Sequence, residues 1–345
     1  MLMPPDRTGA CASSASTLKS FSMNLSIGCM EYDRTRALFD GSVRIEGVDA
    51  TFESGRLASD VFERMVRDQA FDVAELGLTF YLRTLAQPDP PFVAIPVFPA
   101  RQFRHAAIFV NTASGIERPR DLVGKTIGEF GTYGHDVGVT AKGLLADDYG
   151  VTPDQCRWVI GGADFPMTPF DFVPLIHPAD VDVSPAPAGR GLSAMLESGE
   201  IDALISARVP QCIVDGSPRV RRLFPDYETV ERNYYSRTGI YPIMHTLVVR
   251  RDLAPDVMQA VYRAFTEAKD VALNRYRHGS LGQHMDVMVP WFTPLWDRNH
   301  FPDDFWAYGI DPNRAAIDSF LRHFHEQGLS ERRLAVDEIF ADGDW

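Results

Sequence analysis

The chain has 345 residues, 45% hydrophobic and 23% charged, which is enough apolar material for two lobes of ordinary size and too ordered a composition for a disordered chain. Its 47 acidic against 34 basic side chains leave a formal charge of −13, which argues against nucleic acid and anionic membranes as partners. An anionic small molecule stays compatible, because a few arginines focused in a cleft outweigh a diffuse negative surface.

The first 22 residues, MLMPPDRTGACASSASTLKSFS, are small and polar and lack the apolar stretch of a secretory signal. They read as a disordered tail or an upstream start. No run reaches the roughly 18 apolar residues of a membrane span. Cys11, Cys29, Cys156 and Cys212 form no C-x-x-C pair and no metal-ligand spacing, so they read as free thiols of a reducing compartment. The expected compartment is therefore the cytoplasm.

From residue 23 onward, apolar runs ending in polar or glycine-rich turns alternate with helical patterns, the signature of βαβ units. Leu25–Met30 is the first expected strand, followed by EYDRTRALFDG. Ser59 is the expected cap of a helix with Val61, Phe62, Met65 and Val66 on one face. FDVAELG then reads as a buried strand carrying Glu75 near its end. The proline-rich QPDPPFVAIPVFP is an extended connector, because its missing amide donors exclude a helix. It leads into the strand FRHAAIFVN. The strand GKTIGEF, the helix VGVTAKGLLADDYG, the strand CRWVIGG and the helix-to-strand step LSAMLESGEIDALIS follow, and YPIMHTLVVRRDL returns. Two amphipathic helices close the chain, in DVMQAVYRAFTEAKDVALNRY and AAIDSFLRHFHEQG.

This order predicts an α/β protein of two lobes with a ligand cleft between them. Lobe 1 is expected over 23–103 plus 247–345 and lobe 2 over 104–246. Open α/β sheets bind ligands at the carboxyl ends of their strands, and the unusual polar residues fall there.

The strongest local signal is Gly131-Thr132-Tyr133-Gly134-His135-Asp136, between a strand and a helix. Its glycines let backbone approach a ligand, and His135 exchanges a proton near neutral pH. Asp136 reads either as a helix cap or as a functional carboxylate. Arg101 and Arg104 lie at the expected lobe crossing near residues 100–105, and arginine forks grip carboxylates bidentately. Three apart in extended chain, they are expected to point to opposite sides, one of them at the surface. Of that segment, Arg104 or His105 is expected to face the cleft. His245, in an apolar strand on the return crossing, reads equally as a core residue or a site residue. Tyr32, Asp33 and Arg34 after the first strand, Glu75, and Arg208 after IDALIS are weaker candidates sharing the strand-end position. No H-E-x-x-H, G-x-S-x-G, Walker loop or G-x-G-x-x-G after the first strand is present, which disfavours a hydrolase triad or nucleotide cofactor. His323 and His325, two apart on a helix, are poor joint metal ligands.

The blocks EYDRTRALFDGSVRIEG, AIPVFPARQFRHAAIFVN, GTYGHDVGVTAKGLLADDYGV, LSAMLESGEIDALIS, RLFPD and TGIYPIMH occur in an order that resembles the 4,5-dihydroxyphthalate decarboxylase family, over roughly residues 23–330. That family is similar to solute-binding proteins of the type II periplasmic-binding-protein-like fold. The resemblance implies loss of carbon dioxide without an organic cofactor from a small anionic aromatic substrate, 4,5-dihydroxyphthalate giving protocatechuate, with no metal-ligand residues named and assistance by a metal ion left open. It implies His135 as the acid that protonates the ring carbon and Asp136 as its orienting partner. His245 or Glu75 would contact the hydroxyls, and Arg104 with His105 would hold a carboxylate. Tyr32, Arg34, Arg101, Thr132, Tyr133 and Arg208 complete the expected binding set. The alternative from another class is a non-catalytic solute-binding protein for an aromatic or carboxylic acid. Association into homo-oligomers stays open.

Overall fold

The computed structural model describes residues 23–279 and 304–345. The expected tail over 1–22, with Cys11, lies outside them. Strands β1 (Met23–Gly28), β2 (Val48–Glu53) and β3 (Val73–Gly77) run parallel with β1 between the others. The short helix α1 (Arg36–Phe39) follows β1, α2 (Ala58–Asp68) follows β2, and α3 (Leu78–Thr84) leaves β3 without a break. α2 buries Val61, Phe62 and Met65, the expected face. Its cap residue is Leu57 and not Ser59, because Asp60 Oδ2 accepts the Leu57 amide at 2.9 Å. After the edge strand β4 (Phe92–Ile95) the chain crosses to a second sheet.

That sheet holds β5 (Ile108–Asn111), β6 (Thr126–Phe130), β7 (Arg157–Gly161), β8 (Asp182–Pro185), β9 (Ala203–Ile205) and β10 (Val220–Arg222), in the order β10-β5-β9-β6-β7-β8. β6 is parallel to β7 and β9, while β5 is antiparallel to β9 and β10. The helix α4 (Asp136–Tyr149) follows β6, and α5 (Leu192–Ser198) precedes β9. Helices α6 (Gln211–Val214) and α7 (Tyr227–Thr238) lead to the return crossing. β11 (His245–Arg250) then inserts antiparallel between β3 and β4, so the first sheet reads β2-β1-β3-β11-β4. The two crossings run side by side: Arg101 bridges Ile243, and the Met244 amide donates to the Ala100 carbonyl at 2.9 Å.

Helices α8 (Pro255–Gly279) and α9 (Arg314–Glu326) follow, and beyond them Phe340 bridges Ala94 at the edge of the first sheet. α8 buries Val261, Ala264, Phe265 and Ala268, and α9 buries Ile317, Phe320, Leu321 and Phe324. Each Val, Ile, Leu or Phe among them contributes roughly 1.5–3 kcal/mol on burial, which is why apolar spacing alone predicts these helices. α9 also lies on α4 of the other sheet. His323 Nε2 meets Asp147 at 2.8 Å, Arg322 Nη2 meets it at 2.6 Å, and Gln327 Nε2 donates to the Val139 carbonyl at 2.8 Å.

α4 is buried along its first ten residues and carries two glycines where neighbours press against it. A side chain at Gly138 would place Cβ 1.6 Å from Glu129 Oε1, and one at Gly143 would stand 2.2 Å from His323 Nδ1. Gly138→Ala is therefore expected to cost about 1–3 kcal/mol by overpacking. The measurement is the thermal or urea midpoint, and an unchanged midpoint would mean that Glu129 swings aside freely.

Candidate active site

The end of β3 is buried throughout, yet it carries a carboxylate. Glu75 accepts the Tyr32 hydroxyl at 2.8 Å and the Met30 amide at 2.9 Å, and meets His245 Nδ1 at 2.6 Å. Burial alone would raise this carboxyl. The His245 contact, the Met30 amide and the Tyr32 hydroxyl outweigh it and hold the group below the ordinary value. The same carboxylate, after burial, pushes the Tyr32 hydroxyl well up. Glu75 fixes a proton on Nδ1 of His245 and leaves Nε2 as the exchangeable nitrogen. The His245 side chain keeps 14% of its surface, so that nitrogen is reachable. Arg34 lies 3.9 Å over the Tyr32 ring and 4.4 Å from the Trp306 ring, and bonds the Pro99 carbonyl and Asp33.

His245 pairs across the strands with Gly77, the last residue of β3. A Cβ at Gly77 would stand 2.3 Å from Asp136 Oδ2, so the absent side chain lets the other lobe's carboxyl approach. Asp136 Oδ1 accepts the Thr79 amide at 2.7 Å, and Oδ2 is buried without a partner. Burial is the main cause that pushes this carboxyl up to about 6, against the opposing pull of His245, Arg104 and Arg83.

Asp136 does not orient His135. The His135 imidazole caps α4 instead, its Nδ1 accepting the Val137 amide at 3.4 Å, and packs among the rings of Phe80, Phe130 and Phe170. Burial, reinforced by the positive charges of His245, Arg104, Arg83 and Lys142, drops it to about 3. His135 is thus a neutral imidazole with its proton on Nε2.

Arg104 is a buried cation whose charge acts on both His135 and Asp136. Its Nε rests 3.1 Å from Met244 Sδ and its Nη1 donates to Gln102 Oε1 at 3.0 Å, neither being a carboxylate. Desolvation lowers its guanidinium to about 10, with Asp136 and Glu231 opposing. A buried guanidinium without a bonded counter-ion is a ready receptor for a ligand carboxylate.

Other expected residues stand apart. Arg101 is tied to the carbonyls of Tyr241 and Ala307 and to Asn313 Oδ1, so it pins the crossing to the C-terminal segment. His105 starts a 3₁₀ turn where a strand is expected, and packs on Phe224 and Tyr234. That turn carries the ring against Phe224 and Tyr234, and burial lowers it to about 4. Tyr133 lies over Lys142 Nζ at 3.6 Å and, with Thr132, lines a cavity of about 370 Å³ with Leu175, Ile176 and His177. Arg208 is exposed at the rim of a cavity of about 320 Å³ that also touches Gln102, Ser206, Arg222 and Glu231. That size lies within the range of small-molecule pockets. Spacing gave no sign of Thr79, Arg83, Glu129 or Lys142, which lie under the His135 loop. Among the described residues, no three His, Cys, Asp or Glu side chains gather as a metal site requires, and no helix is long and apolar enough to cross a membrane.

A raised carboxyl has a defined effect on stability. The folded Asp136 holds its proton up to about 6, above the unfolded value near 3.9, so its contribution is present below about pH 4 and is lost as pH rises through about 6. Relative to Asp136→Asn, the wild type should lose on the order of 3 kcal/mol of unfolding free energy between pH 4 and pH 7. Urea titrations across that range test it, and parallel curves for the two proteins would refute it.

No protein-family model matches the chain. It is 38% identical over 323 residues to a curated 4,5-dihydroxyphthalate decarboxylase of Comamonas testosteroni, spanning 92% of this chain and 96% of that protein. A Pseudomonas putida protein of the same name is 38% identical over 213 residues, spanning 62% and 81%. In fold, the chain is similar to the periplasmic aliphatic sulphonate binding protein of Escherichia coli, with a TM-score of 0.51 at 14% identity over 92% and 97% of the two chains. The alkanesulfonate-binding protein of Xanthomonas axonopodis pv. citri gives a TM-score of 0.51 at 14% identity over 92% and 98%. These likenesses establish the two-lobed periplasmic-binding-protein architecture.

Proposed function

The chain belongs to the 4,5-dihydroxyphthalate decarboxylase family, and from that premise we propose that it converts 4,5-dihydroxyphthalate to protocatechuate and carbon dioxide, with the Glu75–His245 pair delivering the proton. The observation that carries this reading is the 2.6 Å contact between the buried carboxylate and the partly exposed imidazole, facing an unpartnered carboxyl and a carboxylate-free arginine.

Direct loss of carbon dioxide from the ring would leave an sp² carbanion. Protonating the carboxyl-bearing carbon first avoids that species. Electron density from the oxygen para to that carbon drives the step, and His245 Nε2 gives its proton to the ring carbon. The carbon–carboxylate bond then breaks, its electron pair restores the aromatic ring, and carbon dioxide leaves. One proton is consumed for each carbon dioxide released. Glu75, held ionised, supports the imidazolium before transfer. Arg104 grips the carboxylate that remains, and the His135 Nε2–H donates to the para oxygen as it regains electron density when the carbon–carboxylate bond breaks. The scheme requires no organic cofactor. The acid role rests on His245 and not His135, because burial keeps His135 uncharged and its Nδ1 is already engaged. Glu75 and Asp136 are shifted in opposite directions, a pattern of carboxyls with separate tasks.

The test is turnover of 4,5-dihydroxyphthalate by purified protein in deuterium oxide. Protocatechuate carrying one deuteron at the vacated ring carbon is expected by proton NMR. Binding of the diacid without release of carbon dioxide would defeat the reading.

A further inference from the structure

The loop that carries His135 and Asp136 sits on the second sheet, but its carbonyls are held from the first. Arg83, near the end of α3, is 2% exposed, and its Nη2 donates to the Tyr133 carbonyl at 2.8 Å and the Gly134 carbonyl at 3.2 Å. Its Nη1 donates to the Pro174 carbonyl at 3.0 Å. Thr79, one turn earlier, adds its hydroxyl to the Gly134 carbonyl at 2.7 Å and its amide to Asp136. From the opposite side, Glu129 accepts the Gly134 amide at 3.0 Å while Lys142 neutralises it at 2.7 Å. The Gly134 peptide is therefore gripped at both ends, from two lobes. A buried guanidinium bonded to carbonyls alone is an expensive way to hold a loop, since a neutral donor would satisfy the same oxygens.

We propose that Arg83 is a positioning residue for the decarboxylation, setting the His135–Asp136 segment from the opposite lobe and supplying a fixed positive charge behind it. This rests on the reading of the site given above. Arg83 touches neither His245 nor Arg104 and acts through the loop. The groups acting on His135 are His245, Arg104, Arg83 and Lys142, with Asp136 adjacent and the rings of Phe80, Phe130 and Phe170 around it. Removing one of the four cations leaves three.

The experiment compares Arg83→Met, Arg83→Lys and Thr79→Val with wild type in turnover of 4,5-dihydroxyphthalate and in NMR titration of the His135 ring. In Arg83→Met, kcat should fall about 10- to 100-fold, the scale of a misplaced site, with KM within about threefold. The His135 titration should move to higher pH. Arg83→Lys, which keeps the charge, should recover part of kcat and keep the titration near wild type. Thr79→Val should lower kcat severalfold without moving the titration. A folded Arg83→Met with unchanged kcat and unchanged His135 titration overturns the proposal. If that variant does not fold, unchanged kcat in both other variants overturns it. A wild type without turnover defeats the function above, and the His135 titration then decides the role of Arg83 alone.

Discussion

His245→Gln is expected to lower kcat about 10³-fold, within the range of a lost general acid, while an inert dianion such as phthalate still binds within a few-fold of wild type. Glutamine approximates the size of the imidazole and can still meet Glu75, but it carries no transferable proton at neutral pH. The split between turnover and binding matters, because general loss of structure would lower both together. Glu75→Gln should reproduce part of the effect. It leaves the imidazole in place but removes the negative charge 2.6 Å from Nδ1. Loss of binding in step with turnover would show that His245 holds substrate and does not move the proton.

Arg104→Met should raise KM about 100-fold, equivalent to roughly 3 kcal/mol, the scale for removing one partner of a buried charge pair. Methionine fills much of the stem and leaves the Gln102 carbonyl oxygen without its donor. Arg104→Lys should recover little, because an ammonium lacks the planar fork that meets a carboxylate with two parallel bonds. Isothermal calorimetry with phthalate reads the effect directly. Unaltered affinity in the methionine variant would move the carboxylate clamp elsewhere, with Arg208 at the neighbouring cavity the next residue to test.

The architecture was readable because burial writes itself into spacing. LSAMLESGEIDALIS predicts a helix, a stop and a strand, and these are α5, Gly199 with φ +83° and β9. The site was less readable, for three physical reasons. Glu75 and His245 meet across 170 residues, and only strand insertion brings them together. Arg104 and His105 are inseparable by spacing because alternation assumes an extended chain, whereas a 3₁₀ turn at His105–Ala107 packs the ring on Phe224 and Tyr234. Arg83 and Lys142 sit in the buried stretches of α3 and α4, where periodicity treats a charge as a solvent-facing residue. Their partners are a pair of carbonyls and a carboxylate supplied by other segments. The paired reading of His135 and Asp136 followed from adjacency in sequence, and a helix N-terminus turns such neighbours toward different partners.

Charge is distributed unevenly between inside and outside. Among the described residues, five buried cations, Arg83, Arg101, Arg104, Lys142 and Lys269, outnumber three buried carboxyls, Glu75, Glu129 and Asp136, in a chain of net charge −13. A dianion diffusing toward the cleft therefore meets a repulsive shell before it meets any guanidinium. Screening shortens the reach of that shell from about 30 Å at 0.01 M salt to about 8 Å at 0.15 M. Capture should accelerate as salt is added, the reverse of electrostatically steered association, until the short-range contacts themselves weaken. A maximum of kcat/KM at intermediate ionic strength is the kinetic signature of a basic interior enclosed by an acidic skin.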